Sequence, residues 1–274
     1  MKLGVHLRPT DDTIDIRDLA PAVEEAGFES LWVSEHSHIP VATASQWPGG
    51  EGMPRFMSRF LDPFISLARA AAVTERIMLG TGIVLLPQRD TIQVAKEVST
   101  LDYQSGGRIL LGVGAGWNRE EMENHGVDFG RRFGKMREQV LAIKAIWTED
   151  EPEYHGRQVR FDPIQIWPKP VQQPRLPILI GGEGPTVLDR VIQYGDGWIP
   201  NDYPELPDRA AELAARLRES GRDPLPVTAF AVEPDPQHIE RLAGAGIERC
   251  VFNLSQAGAR EVLAEVEALA GLTT

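Results

Sequence analysis

Glu35 and His36 stand side by side directly after the apolar run Leu31-Trp32-Val33 and Ser34, which places a carboxylate and an imidazole at the end of a strand. Such a pair suits acid–base work, because an imidazole titrates near neutral pH and a neighbouring carboxylate can orient it or hold it protonated. The same side chains can equally serve only to hydrogen-bond within their own loop. Three glycine-rich segments follow. Gly80-Thr81-Gly82-Ile83 interrupts a β-branched run; glycine there marks a bulge, a close backbone approach by something flat, or relief of crowding. Gly112-Val113-Gly114-Ala115-Gly116-Trp117-Asn118 looks at first like a dinucleotide-binding loop. Trp117, however, stands where the last glycine of that fingerprint belongs, and the region about 20 residues on is helical in pattern. A glycine-lined mouth, with Asn118 capping a helix, describes it better. Gly181-Gly182-Glu183-Gly184-Pro185-Thr186 leads into a helix whose first turn suits Pro185. Free amides at such a start can hold a phosphate, or the segment is simply a tight turn; Glu183 opposes an anion unless its side chain points away.

These motifs need a frame that brings them together. Residues 3–7 form a short apolar strand, and the helical pattern through Leu19, Ala20, Val23 and Ala26 is stopped by Gly27. The unit recurs with a strand over 30–34 and a helix over 63–74, separated by a long polar insertion. A strand over 77–86 precedes a helix over 91–103. A strand over 109–113 leads through 118–123 and a basic loop into a longer helix over 135–147. The proline-containing stretch 151–174 is predicted to leave the frame, its alternating run 158–166 forming a hairpin. Strands over 177–180, 197–200, 225–232 and 249–254 then alternate with helices over 186–194 and 208–219 and two alanine-rich ones. Eight strand–helix pairs predict a (β/α)8 TIM barrel of the α/β class, a single domain over 1–274 with insertions at the C-terminal face. An open doubly wound sheet is the alternative. In a barrel the chemistry sits in the loops after the strands, where all four motifs fall.

Composition narrows the function. With 274 residues and 42% hydrophobic content the chain matches the usual barrel size of about 250. No apolar run can span a bilayer and the first residues lack a signal-peptide pattern, so no membrane partner and a cytoplasmic location are expected. The net charge of −12 repels phosphate backbones, which argues against nucleic acid. The lone Cys250 sits in an apolar run, as a buried inert thiol does. Six histidines without a close His/Cys cluster give no metal site.

Taken together, the segments resemble the luciferase-like monooxygenase family, in particular its deazaflavin-linked branch. The resemblance runs through Leu31-Trp32-Val33-Ser34-Glu35-His36, Leu79-Gly80-Thr81-Gly82-Ile83, Tyr103-Gln104-Ser105-Gly106-Gly107-Arg108 and Leu111-Gly112-Val113-Gly114-Ala115-Gly116-Trp117. Pro177-Ile178-Leu179-Ile180-Gly181-Gly182 and Gly195-Asp196-Gly197-Trp198 extend it over nearly the whole chain. It implies an isoalloxazine-type ring in the barrel mouth against a non-proline cis peptide at Gly82–Ile83, with Gly114, Gly116 and Trp117 nearby. It implies phosphate held by Gly181, Gly182, Glu183, Gly184 and Pro185, and His36, with Glu35, near the reacting carbon. The implied activity is an oxidoreductase transferring a hydride between coenzyme F420 and a small organic substrate, in a homodimer paired through the apolar runs 64–72 and 92–101. Arg131, Arg132 and Lys135 are candidates for the anionic tail of F420, and the insertion 38–59 and the excursion after Glu151 for the substrate pocket. A reduced-FMN-dependent monooxygenase is the alternative, followed by a non-catalytic flavin-binding protein and a non-redox barrel enzyme, since fold does not dictate chemistry.

Overall fold

The computed structural model describes residues 1–273. Its frame is an eight-stranded sheet whose neighbours all pair in parallel. In chain order the first half comprises β1 (Lys2–Leu7), α1 (Ile16–Glu25), β2 (Ser30–Val33), α2 (Pro63–Ala71), β3 (Met78–Leu85), α3 (Thr91–Ser105) and β4 (Ile109–Gly114). A short helix α4 (Arg119–Asn124) precedes the long α5 (Arg132–Thr148), and a small hairpin of β5 (Tyr154–His155) and β6 (Arg160–Phe161) lies outside the main sheet. The second half runs β7 (Ile178–Gly181), α6 (Val187–Tyr194), β8 (Gly197–Ile199), α7 (Leu206–Glu219), β9 (Thr228–Phe230), α8 (Pro236–Gly244), β10 (Arg249–Asn253) and α9 (Ala259–Ala270). The sheet order is β8-β7-β4-β3-β2-β1-β10-β9. Its two ends meet through parallel bridges between Trp198 and Val227 and between Asn201 and Phe230, so the sheet is a nearly closed barrel and not an open doubly wound one.

Local chemistry explains the boundaries. Asp15, Asp62 and Asp90 each accept backbone N–H bonds at the start of α1, α2 and α3, and Pro63 occupies the first turn of α2. Gly106, at φ +71°, ends α3 in the left-handed conformation that glycine adopts without a Cβ clash. The expected hairpin forms, but it pairs only two residues per strand instead of running to 166. Pro163 and Pro168 lack amides for a longer ladder. The barrel interior packs Trp32, Leu110, Leu179, Ile199, Phe230 and Val251 against one another, while the larger core lies between strands and helices. Gly80 serves this interior: a Cβ there would lie 2.1 Å from the Trp32 ring. Crowding therefore accounts for Gly80, whereas the ladder shifts register between Thr81 and Val84, where β3 bulges. Cys250 is fully buried, and burial pushes its thiol up to about 12, which leaves it unreactive at neutral pH. Among the described residues no helix is long and apolar enough to cross a membrane.

Candidate active site

A cleft of about 480 Å³ opens at the C-terminal ends of the barrel strands. Ser34, Glu35 and His36 reach it from the end of β2, Gly82 and Ile83 from β3, and Gly114, Ala115, Gly116 and Trp117 from β4. Gly181, Gly182, Glu183 and Gly184 reach it from β7. Of the catalytic and the ring- and phosphate-binding residues that the resemblance implies, only Pro185 does not line it among the described residues; that residue turns the chain toward α6. The insertion after β2 contributes an aromatic wall of Trp47, Phe56 and Phe60. The excursion after Glu151 contributes nothing to the lining, contrary to the sequence-based expectation. Its far end is pinned at the opposite end of the barrel, where the buried Asp102 carboxylate accepts from the Val171 amide and Gln172 donates to the carbonyl of Ile109.

His36 does not pair with Glu35. Its Nδ1 lies 2.7 Å from Oε2 of Glu121, on α4, and its ring packs edge-on against Trp117. Glu121 is completely buried and also accepts from the Ser37 amide at 2.9 Å. Burial works against its charge, yet the hydrogen bonds from His36 and Ser37 prevail and hold its carboxyl below the usual range. An ionised carboxylate only accepts, so Nδ1 carries a proton and Nε2 stays free; among the described residues nothing bonds to it. The neighbouring Glu120 binds the insertion instead, accepting from Thr43, Ser45 and the Ala44 amide. One short helix, capped by Asn118, thus fixes both the imidazole and the wall beside it.

Glu35 is turned the other way. Its carboxylate accepts from the Leu85 amide and from Arg89 Nε, each at 2.6 Å, and Arg89 reaches on to Asp62. Burial pushes the Glu35 carboxyl up against the pull of Arg89. This ion pair ties the ends of β2 and β3 to the start of α2. It does not orient the imidazole.

The Gly82–Ile83 peptide is cis. The Ile83 side chain occupies space that three glycines cede: a Cβ on Gly114 would lie 2.0 Å from it, one on Gly181 3.0 Å and one on Gly112 3.4 Å. Gly114 therefore seats Ile83 and leaves no room of its own for a ligand. Gly182 and Gly184 differ, since a Cβ on either would meet no heavy atom within 4 Å, and Gly182 has φ +113°. No side chain caps α6, and the buried Nε of Arg190, midway along it, has no hydrogen-bond partner. Open glycines, an uncapped helix start and a partly unsatisfied guanidinium suit a phosphate. Glu183 does not block it, because its carboxylate is drawn to the amide and side chain of Asn201, both at 2.8 Å. Arg131 pairs with Asp128, Arg132 stacks on Phe129 and Phe133, and neither these nor Lys135 lines the cleft. The cation beside the cradle is Arg190, stacked on Phe133.

The model of the luciferase-like monooxygenase family matches residues 2–267. An uncharacterised protein of Mycobacterium tuberculosis is 39% identical over 98% of both chains. The F420-dependent hydroxymycolic acid dehydrogenase of the same organism is 28% identical over 82% of this chain and 60% of its own length. The coenzyme F420 dependent tetrahydromethanopterin reductase from Methanopyrus kandleri superposes with a TM-score of 0.76 at 18% identity, covering 98% of this chain and 97% of that one. At that identity the likeness shows a shared barrel fold. Because the family model spans nearly the whole chain, and the barrel and mouth carry the features described above, the protein belongs to the luciferase-like monooxygenase family.

Proposed function

We propose that the protein is an F420-dependent oxidoreductase that moves a hydride between the deazaflavin and a small organic substrate. The observation that carries this reading is the His36–Glu121 pair, which presents a free imidazole nitrogen at one part of a cleft whose β7 side is an open anion cradle. The named F420-dependent relatives support it. When bound, F420 supplies or accepts the hydride at its ring carbon. Ile83 would lie under the ring, and Gly182, Gly184 and Arg190 would hold the phosphate. Nε2 of His36 takes the substrate hydroxyl proton in the oxidising direction and returns it in the reducing one, while Glu121 keeps Nδ1 protonated and fixes the ring. Trp47, Phe56 and Phe60 exclude water from the substrate side.

The deciding experiment is titration of the purified protein with F420 and with FMN, each reduced and oxidised. Tighter binding of F420 is expected. Equal or stronger binding of FMN would favour a reduced-flavin monooxygenase and overturn the cofactor assignment. We also propose a homodimer, supported by the exposed apolar side chains on α2 and α3, Ile65 and Tyr103, and by Val73 just beyond α2.

A further inference from the structure

We propose that Arg8 is the substrate anchor, taking the carboxylate of a substrate whose body is apolar or aromatic. This deepens the oxidoreductase reading and rests on it. Arg8 follows β1 directly and lines the cleft. In the sheet order β1 lies four strands from β7 by either route around the barrel, so Arg8 faces the glycine cradle from the opposite side of the mouth. A phosphate held at Gly182 and Gly184 therefore leaves Arg8 for a second reactant.

Among the described residues Arg8 has no hydrogen bond and no carboxylate partner; its one polar contact is with the face of the Phe56 ring, 5.6 Å from the guanidinium carbon. The acids on its own loop are engaged elsewhere. Asp11 pairs with Arg59, and Asp12 faces Arg59 and Arg55 and accepts from Thr10. The other acids of the cleft are satisfied too, Glu35 by Arg89 and Glu183 by Asn201. His6 and Asn253, which also line the cleft, bond to each other. Burial works against its charge. A half-buried guanidinium without a counter-ion is unfavourable, and a site that keeps one meets the missing charge with a ligand.

The chemistry of that ligand follows from what surrounds Arg8. A phosphate dianion is usually met by several donors, such as the amides of a glycine loop and a helix start, and the mouth has those at β7. Arg8 stands alone, and its planar fork matches a carboxylate of single charge in two parallel hydrogen bonds. Trp47, Phe56 and Phe60 form the insertion wall, Phe56 lying under the Arg8 guanidinium and against the other two rings, and accept an apolar or aryl body. The substrate then spans from Arg8 toward Ile83 and His36, with its reacting carbon between the two anion-binding sides.

The test uses phenylacetate and its neutral isostere phenylacetamide as probes, with wild-type protein, Arg8→Gln and Arg8→Lys, in the presence and absence of F420. Wild type is expected to bind the carboxylate at least about 30-fold more tightly than the amide. Arg8→Gln should lose that preference and Arg8→Lys keep part of it, with F420 affinity within about twofold of wild type. Absence of a preference in wild type, or its survival in Arg8→Gln, overturns the assignment. So does a loss of F420 affinity in Arg8→Gln, which would give Arg8 to the cofactor. Failure of wild type to bind F420 strikes the oxidoreductase reading instead, and the probe preference in the F420-free protein is scored independently of it.

Discussion

Glu121 holds His36 from a position 85 residues away, its Oε2 2.7 Å from the imidazole Nδ1. The contact fixes which nitrogen is left unbonded, because a buried ionised carboxylate accepts the hydrogen bond of Nδ1–H and leaves Nε2 without a partner among the described residues. Replacing His36 with Asn should slow single-turnover oxidation of pre-bound reduced cofactor by about 10²- to 10⁴-fold while cofactor affinity stays nearly constant. Glu121→Gln should lower the same rate. Because the two act as a unit, the double variant should be no more than about threefold slower than the worse single one. An unaltered rate in His36→Asn would remove the acid–base assignment.

The Glu35–Arg89 pair predicts a different outcome. Both groups are largely buried, with Glu35 at 7% exposure, so removing the cation leaves a carboxylate without its partner in the interior. Arg89→Met should cost about 3–5 kcal/mol of unfolding free energy, read from urea denaturation. Adding Glu35→Leu to that variant should restore part of the loss, since two apolar groups need no counter-charge. A cost below about 1 kcal/mol would mean that water, or protonation of Glu35, compensates for the lost cation.

The frame was readable because most barrel strands are short apolar runs soon closed by a glycine, proline or acid, and because eight such runs alternate with helical periodicity. The partners within the site were not. Glu35 and His36 are adjacent in the chain, and successive side chains at a strand end point to opposite sides, so adjacency predicts divergence. The sequence marks Glu121 only as one of two acids after Asn118, and folding alone distinguishes it from Glu120. Arg8 obeys the same end-of-strand rule as His36. Beside Asp11 and Asp12 it reads as part of a solvated charged loop, until the tertiary structure turns both aspartates to Arg59.

Gly184 offers a clean test of the anion cradle. A Cβ there meets open space, so Gly184→Ala should leave thermal stability essentially unchanged. If the phosphate of the cofactor occupies that space, the same methyl group should weaken F420 binding at least about tenfold. Unchanged affinity with unchanged stability would place the phosphate elsewhere.

The dimer proposal is tested at Ile65, which is 66% exposed on α2 although its helix neighbours Phe64 and Leu67 are buried. Sedimentation at micromolar concentration should give a dimer for wild type and a monomer for Ile65→Glu, because a charge placed in an apolar interface core lacks a partner. A monomeric wild type would refute the proposal.

His6 links the floor of the cleft to the acid limit of the fold. Its imidazole is 4% exposed and bonds to Asn253 at 2.7 Å and to Ser34 at 2.5 Å, and Ser34 in turn donates to the carbonyl of Gly82. Burial, reinforced by the charge of Arg8, lowers its pKa from 6.5 to about 3. The folded protein therefore keeps His6 neutral over a range in which the unfolded chain protonates it. Between pH 6.5 and about 3 the unfolded state binds more protons, so the stability from this group is complete above pH 6.5 and declines on acidification. The slope approaches about 1.4 kcal/mol per pH unit within that window. His6→Gln lacks the titrating group, so its unfolding free energy should fall less steeply than that of wild type between about pH 6 and pH 4, by roughly that slope. Equal slopes in the two proteins would show that His6 is as easily protonated in the fold as in the unfolded chain.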